Sequence, residues 1–82
     1  MVIIELKVPS LGTSYSFQVN EQRTAGRLLE EMLSVMKQKT GEAEDAEASG
    51  YELFSAQQGR RIRKDLALGA QGIGDGSTLV LV

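Results

Sequence analysis

The chain contains no cysteine and no histidine. Without thiols there are no disulfides and no thiol nucleophiles, and without imidazole the commonest general base is gone. Together the two absences exclude nearly every zinc site. They leave the compartment open, because a cysteine-free chain folds anywhere. Long hydrophobic runs are also missing. The opening VIIELKV is broken by charge after three apolar residues, unlike a signal peptide. No apolar stretch approaches the roughly 20 residues that span a bilayer. Neither sign of charge dominates: 9 Lys and Arg stand against 11 Asp and Glu, a net charge of −2. With a pI near 5.0, no global field draws nucleic acid or anionic membrane. The expectation is a cytoplasmic, self-contained domain spanning residues 1–82. A domain of this size buries only about 60% of its unfolded surface, which leaves room for one small core and little for a deep active site.

What is present is organised around one amphipathic stretch, TAGRLLEEMLSVMKQK, from Thr24 to Lys39. Ala25, Leu28, Leu29, Met32, Leu33 and Met36 recur every three or four positions and predict one buried helix face. Arg27, Glu30, Glu31, Lys37 and Lys39 fall mostly on the other. Thr24 stands where a hydroxyl caps the first helix amides. Lys37 and Lys39 suit the carboxyl end of the dipole, and Gly41 is the stop signal.

The remaining periodicity is that of strands. Val2, Ile4, Leu6 and Val8 alternate with Ile3, Glu5 and Lys7. Pro9 to Thr13 supplies a turn, with Gly12 suited to the left-handed conformation. From Ser14 to Asn20, Tyr15, Phe17 and Val19 face inward, so the two segments read as an antiparallel hairpin. After the helix, Tyr51 to Ala56 resumes strand character with Leu53 toward the core, and Gln57 to Gly59 forms a turn. Arg60 to Lys64, RRIRK, is a short charged edge strand of the kind that discourages aggregation. Leu66, Leu68 and Ile73 are apolar pegs in a glycine-rich connection, Asp75-Gly76 is a turn pair, and Ser77 to Val82 is the closing strand, with Leu79 and Leu81 on one face and Val80 and Val82 on the other. The order predicts a two-layer α+β domain. The apolar first and last strands suit central positions, although spacing alone does not make them parallel neighbours.

Three segments invite chemical readings and lose them. Glu42, Glu44, Asp45 and Glu47 form an acidic run without the spacing or central glycine of a calcium loop, and read as a solvated loop. The basic run at Arg60–Lys64 supplies four cations, whereas tight non-specific nucleic-acid binding draws on about 6 to 10 phosphate contacts. The glycines of DLALGAQGIGDG lead into a strand rather than a helix amino terminus, and no lysine follows in Walker spacing, so the phosphate-cradle reading fails. Ser10, Thr13 and the carboxylates form no base–nucleophile pair that spacing supports. No catalytic residue, metal, cofactor or small-molecule substrate is expected.

The strand order, the single helix capped at Thr24, and the ending L-A-L-G-A-Q-G-I-G-D-G-S-T-L-V-L-V resemble a ubiquitin-like β-grasp domain over essentially the whole chain. Ile73 matches the isoleucine that precedes the last strand, and Leu79 and Leu81 match that strand's leucines. The resemblance implies a mixed sheet of four to five strands packed on one helix, in the order β-β-α-β-β-β, with the first and last strands parallel. Within that superfamily the chain is most similar to the YukD-like proteins of Gram-positive type VII (WXG100) secretion systems. These commonly finish near G-x-x-x-G-D-x-L-x-L; here the segment is G-I-G-D-G-S-T-L-V-L-V.

The resemblance frames two functions. Ubiquitin and the sulfur carriers of thiamine and molybdopterin synthesis act through a flexible tail ending Gly-Gly. Here the sequence stops at Val82 within the expected strand, so conjugation and sulfur transfer are not expected. The alternative is a ubiquitin-like or sulfur-carrier protein whose Gly-Gly tail is missing from this sequence. The first reading is a non-catalytic adaptor of the secretion apparatus, with a membrane or ATPase component as its protein partner. If Leu53 points inward, Phe54 points out, beside Val80 and Val82. In the resemblance these three occupy ubiquitin's exposed recognition patch, with Tyr51 and Ile62 bordering it. Two plainer readings compete: an ordinary monomer shows apolar patches of about 300–600 Å², and a bulge would exchange Leu53 and Phe54 between faces.

Overall fold

The computed structural model describes residues 1–40 and 50–82, the side chains of 39 and 40 excepted. The Gly41 stop and the acidic run from Glu42 to Glu47 lie outside the described residues. The first strand, β1 (Val2–Val8), passes through a 3-10 turn at Pro9–Leu11 into β2 (Thr13–Val19). Gly12 closes that turn at φ 65°, a left-handed conformation that costs glycine nothing. The helix, α1 (Ala25–Thr40), follows, then β3 (Leu53–Ser55), β4 (Arg60–Arg61), a second 3-10 turn at Gly69–Gln71, and β5 (Thr78–Leu81).

The sheet order is β2-β1-β5-β3-β4. β1 and β5 are parallel neighbours, with Leu6 beside Leu79, and every other pairing is antiparallel. The apolar first and last strands therefore do lie side by side near the centre, and the charged β4 lies on an edge.

The alternation and the helical stripe meet in one core. Ile4, Leu6 and Val8 of β1, Val19, Leu53, Leu79 and Leu81 form the sheet's inner face. Ala25, Leu28, Leu29, Met32, Leu33 and Met36 cover it from the helix, and all six are buried. Tyr15 and Phe17 are half-buried beside this cluster, their ring centroids 6.1 Å apart. Leu53 is fully buried while Phe54 is exposed, so no bulge exchanges their faces.

The helix amino terminus is closed by the chain itself. The Arg27 N–H donates to Thr24 Oγ1 at 3.3 Å, and the Leu28 N–H to the Thr24 carbonyl at 3.1 Å. The two preceding amides reach across to another segment: Ala25 donates to the Leu66 carbonyl (2.9 Å) and Gly26 to the Lys64 carbonyl (3.0 Å). The amides of Ala25, Gly26 and Arg27, which have no intrahelical carbonyl to bond, are thus all satisfied.

Two of the apolar pegs behave as expected, since Leu68 and Ile73 are buried. Leu66 does not: it is 37% exposed. Its carbonyl accepts the Ala25 N–H, and its side chain stays at the surface.

Candidate functional site

The face of the sheet turned away from the helix is the surface on which the sequence placed its candidate residues. Ladder registers set one row across all five strands: Ser14, Lys7, Val80, Phe54 and Arg61. Side chains in such a row share one face. Phe54 and Val80 are direct cross-strand partners, and each is flanked on its far side by a cation, Lys7 beyond Val80 and Arg61 beyond Phe54.

Val82 continues this apolar strip. It lies just past β5, yet it exchanges two backbone hydrogen bonds with Glu52, each 2.9 Å. The ladder thus carries on for one more pair, and by the two-residue period Val82 shares the face of Val80. Val82 is 57% exposed and Phe54 37%. Val80 is half-buried, as befits a small side chain on the central strand between Lys7 and Phe54. The three form a short apolar strip, with Lys7 and Arg61 at the ends of the Phe54–Val80 pair and Glu52 opposite Val82.

Tyr51 and Ile62 do not border it. Ile62 is buried in the core, because its N–H donates to the Leu53 carbonyl at 2.7 Å and this pairing sends both side chains inward. Tyr51 has the same parity as Leu53 and packs, half-buried, against the core cluster. Ile3, 54% exposed, also faces outward on β1. The row of Ser16, Glu5 and Thr78 separates it from the strip.

The sequence reading missed the polar residue that shapes the sheet's edge. Gln71 is almost fully buried. Its Oε1 accepts the Arg63 N–H at 2.7 Å, and its Nε2 donates to the carbonyls of Arg63 (2.8 Å) and Leu66 (3.2 Å). Gln58 Nε2 in turn donates to the Gln71 carbonyl at 3.0 Å. A lone polar residue in a glycine-rich connection gives no periodic signal that would single it out.

Two carboxylates sit in altered settings. The Arg63 guanidinium beside Asp65 holds its carboxyl below the usual carboxylate range, with Nη2 to Oδ2 at 2.7 Å. Glu21 is also lowered, chiefly by a hydrogen bond from its own backbone, and its Oε2 lies 3.4 Å from the amino-terminal ammonium. Among the described residues no group of three or more acidic, histidine or cysteine side chains gathers as a metal site. No helix among them is long and apolar enough to cross a membrane.

Comparison with known proteins gives a family and a fold. The family described as "WXG100 protein secretion system (Wss), protein YukD" matches residues 3–81. No curated protein sequence matches the chain. Among solved structures, the ubiquitin-like domain of an Arabidopsis thaliana protein superposes with a TM-score of 0.75 at 18% identity, covering 99% of this chain and 74% of that one. Caldiarchaeum subterraneum ubiquitin gives 0.74 at 18% identity, over 98% and 89% of the two chains. A protein designed on ubiquitin gives 0.72 at 22% identity, over 99% and 85%. At these identities the likeness speaks for the ubiquitin-like β-grasp fold.

Proposed function

The chain belongs to the YukD family of the WXG100 protein secretion system, and we propose that it is a non-catalytic protein-interaction module serving that system as an accessory or regulatory adaptor. It acts as a single domain in the cytoplasm and docks by its outer sheet face onto a protein component of the type VII apparatus, a membrane or ATPase subunit. The residues that carry the contact are Phe54, Val80 and Val82.

One observation supports this reading above the others. Phe54 and Val80 face each other across β3 and β5, with Lys7 and Arg61 at the ends of the pair. An aromatic with an aliphatic neighbour and a charged border matches the composition of interface centres, where large aromatics are enriched. Exposed apolar residues scattered singly need no explanation; these three adjoin on one face.

The test is affinity capture from lysate and solubilised membranes of the source organism, comparing wild type with a Phe54→Ala/Val80→Ser variant. Secretion-system components recovered by wild type alone are the expected result. Equal recovery by both proteins would keep the adaptor role and discard this face. An activating enzyme in the eluate, without secretion components, would favour a carrier instead.

A further inference from the structure

The edge of the sheet at β4 carries a second surface, which adjoins the apolar strip at Arg61. A groove of about 240 Å³ opens there, lined by Arg60, Arg61, Arg63, Leu66, Ala70 and Gln71. We propose that this groove binds a short, extended, acidic peptide segment, held by arginine–carboxylate pairs and by the open backbone edge of β4.

The side chains supply the charge. Arg63 already holds a carboxylate in two-point fashion: Nε lies 3.2 Å from Asp65 Oδ1 and Nη2 2.7 Å from Oδ2. That fork is taken by Asp65, and it shows the geometry in which a guanidinium at this edge meets a carboxylate. Arg60 is steadied by Gln58, whose Oε1 accepts its Nε–H at 2.8 Å. Arg60 and Arg61 make no ion pair among the described residues. With Asp65 answering Arg63, two positive charges are left for a ligand. Leu66, 37% exposed, and Ala70 give an apolar side chain between two carboxylates a surface to rest on.

The backbone supplies direction. Glu52 and Val82 exchange bonds on one side of β3, and the Ile62 N–H donates to Leu53 on the other. Antiparallel ladders alternate, so Arg61, opposite Phe54, turns its own N–H and C=O to the open side. An added strand finds a donor and an acceptor there. It cannot run far, because the next such position, Arg63, gives its N–H to Gln71. The site suits a few residues of extended chain.

Peptide is favoured over nucleic acid by the count of charges. The run holds four cations in a chain of net charge −2, short of the about 6 to 10 phosphate contacts of tight binding. A strand edge also matches an extended peptide backbone and has no counterpart in a phosphodiester.

The experiment is a titration of the isotope-labelled protein, followed by amide chemical shifts. The probes are a short synthetic peptide of alternating glutamate and leucine, its glutamine counterpart, and a single-stranded oligonucleotide. The glutamate peptide is expected to give saturable shifts centred on Arg60–Arg63 and Leu66–Gln71, and the glutamine peptide far smaller ones. Arg60→Gln/Arg61→Gln, at exposed positions, is expected to weaken the glutamate peptide at least about tenfold with an unchanged spectrum outside the groove. Phe54→Ala is expected to leave that binding intact, which separates the groove from the apolar side chains of the strip. Equal binding of both peptides, tighter binding of the oligonucleotide, or loss of peptide binding in Phe54→Ala would each overturn the proposal.

Discussion

Gln71 and Arg63 exchange a pair of hydrogen bonds, Oε1 accepting from the Arg63 N–H and Nε2 donating to its carbonyl. A side-chain carboxamide thereby meets the backbone as a neighbouring strand would, at the point where β4 has ended. The same Nε2 reaches the Leu66 carbonyl, which also accepts the Ala25 N–H. One buried amide ties the sheet's edge to the start of the helix. Gln71→Ala would strip the partner from a part-buried N–H and is expected to cost about 1–3 kcal/mol. Chemical denaturation measures it, and a loss below about 0.5 kcal/mol, the ordinary range for surface substitutions, would mean that water replaces the amide without penalty.

Substitutions in the core and on the outer face of the sheet should separate cleanly. Leu29 is fully buried in the helix stripe, and Leu29→Ala is expected to cost about 2–5 kcal/mol as a cavity mutation. Phe54 is 37% exposed, and Phe54→Ala should cost no more than about 1 kcal/mol, the range of a cross-strand pair. Thermal unfolding of the two variants side by side is the check. A Phe54→Ala loss as large as that of Leu29→Ala would make Phe54 a core residue and remove it from the docking face.

Gly26 sits where the helix is crossed by another segment. A methyl group there would lie 3.2 Å from the Lys64 carbonyl oxygen, the same oxygen that accepts the Gly26 N–H. Alanine in a helix normally gains about 1 kcal/mol over glycine. Here that gain requires displacing a backbone carbonyl, and Gly26→Ala is expected to lower the denaturation midpoint. A midpoint raised by the full helical gain would show that residues 64–66 yield freely.

Acid sensitivity follows from Glu21 and Asp65. Both carboxyls are lowered from their ordinary values of 4.5 and 3.8, so the folded chain binds fewer protons than the unfolded chain in that range. Their contribution is present above the ordinary values and is lost as pH falls through the lowered ones. The melting temperature should decline on acidification below about pH 4.5, and Glu21→Gln/Asp65→Asn should flatten the decline. An unchanged slope in the double variant would place the acid response in other carboxylates.

Much of the architecture was legible because two periods dominate the sequence. The alternation of Val2, Ile4, Leu6 and Val8 and the stripe from Ala25 to Met36 each point to one face, and both faces are buried. The parallel neighbours β1 and β5 came from family resemblance, since nothing local marks a partner so far along the chain. Ile62 was misplaced because four cations in RRIRK masked its parity with Leu53. Tyr51 carried the same signal, two positions before Leu53. The helix start was only half legible: Thr24 announced its cap, but the carbonyls of Lys64 and Leu66 are backbone groups and leave no trace in residue type.

The central pairing of β1 with β5 has a kinetic consequence. The Ile3 N–H bonds the Asp75 side chain across 72 positions, and Leu6 lies beside Leu79. A ribosome must therefore release nearly all of this sequence before the middle of the sheet can close. Until then the β1–β2 hairpin and the helix can cover only each other, and the part of their apolar faces that β5 and β3 complete stays open. Folding is set by a late, long-range closure of the kind that slows mixed topologies, and the newly made chain passes through a stage that chaperones and proteases can read.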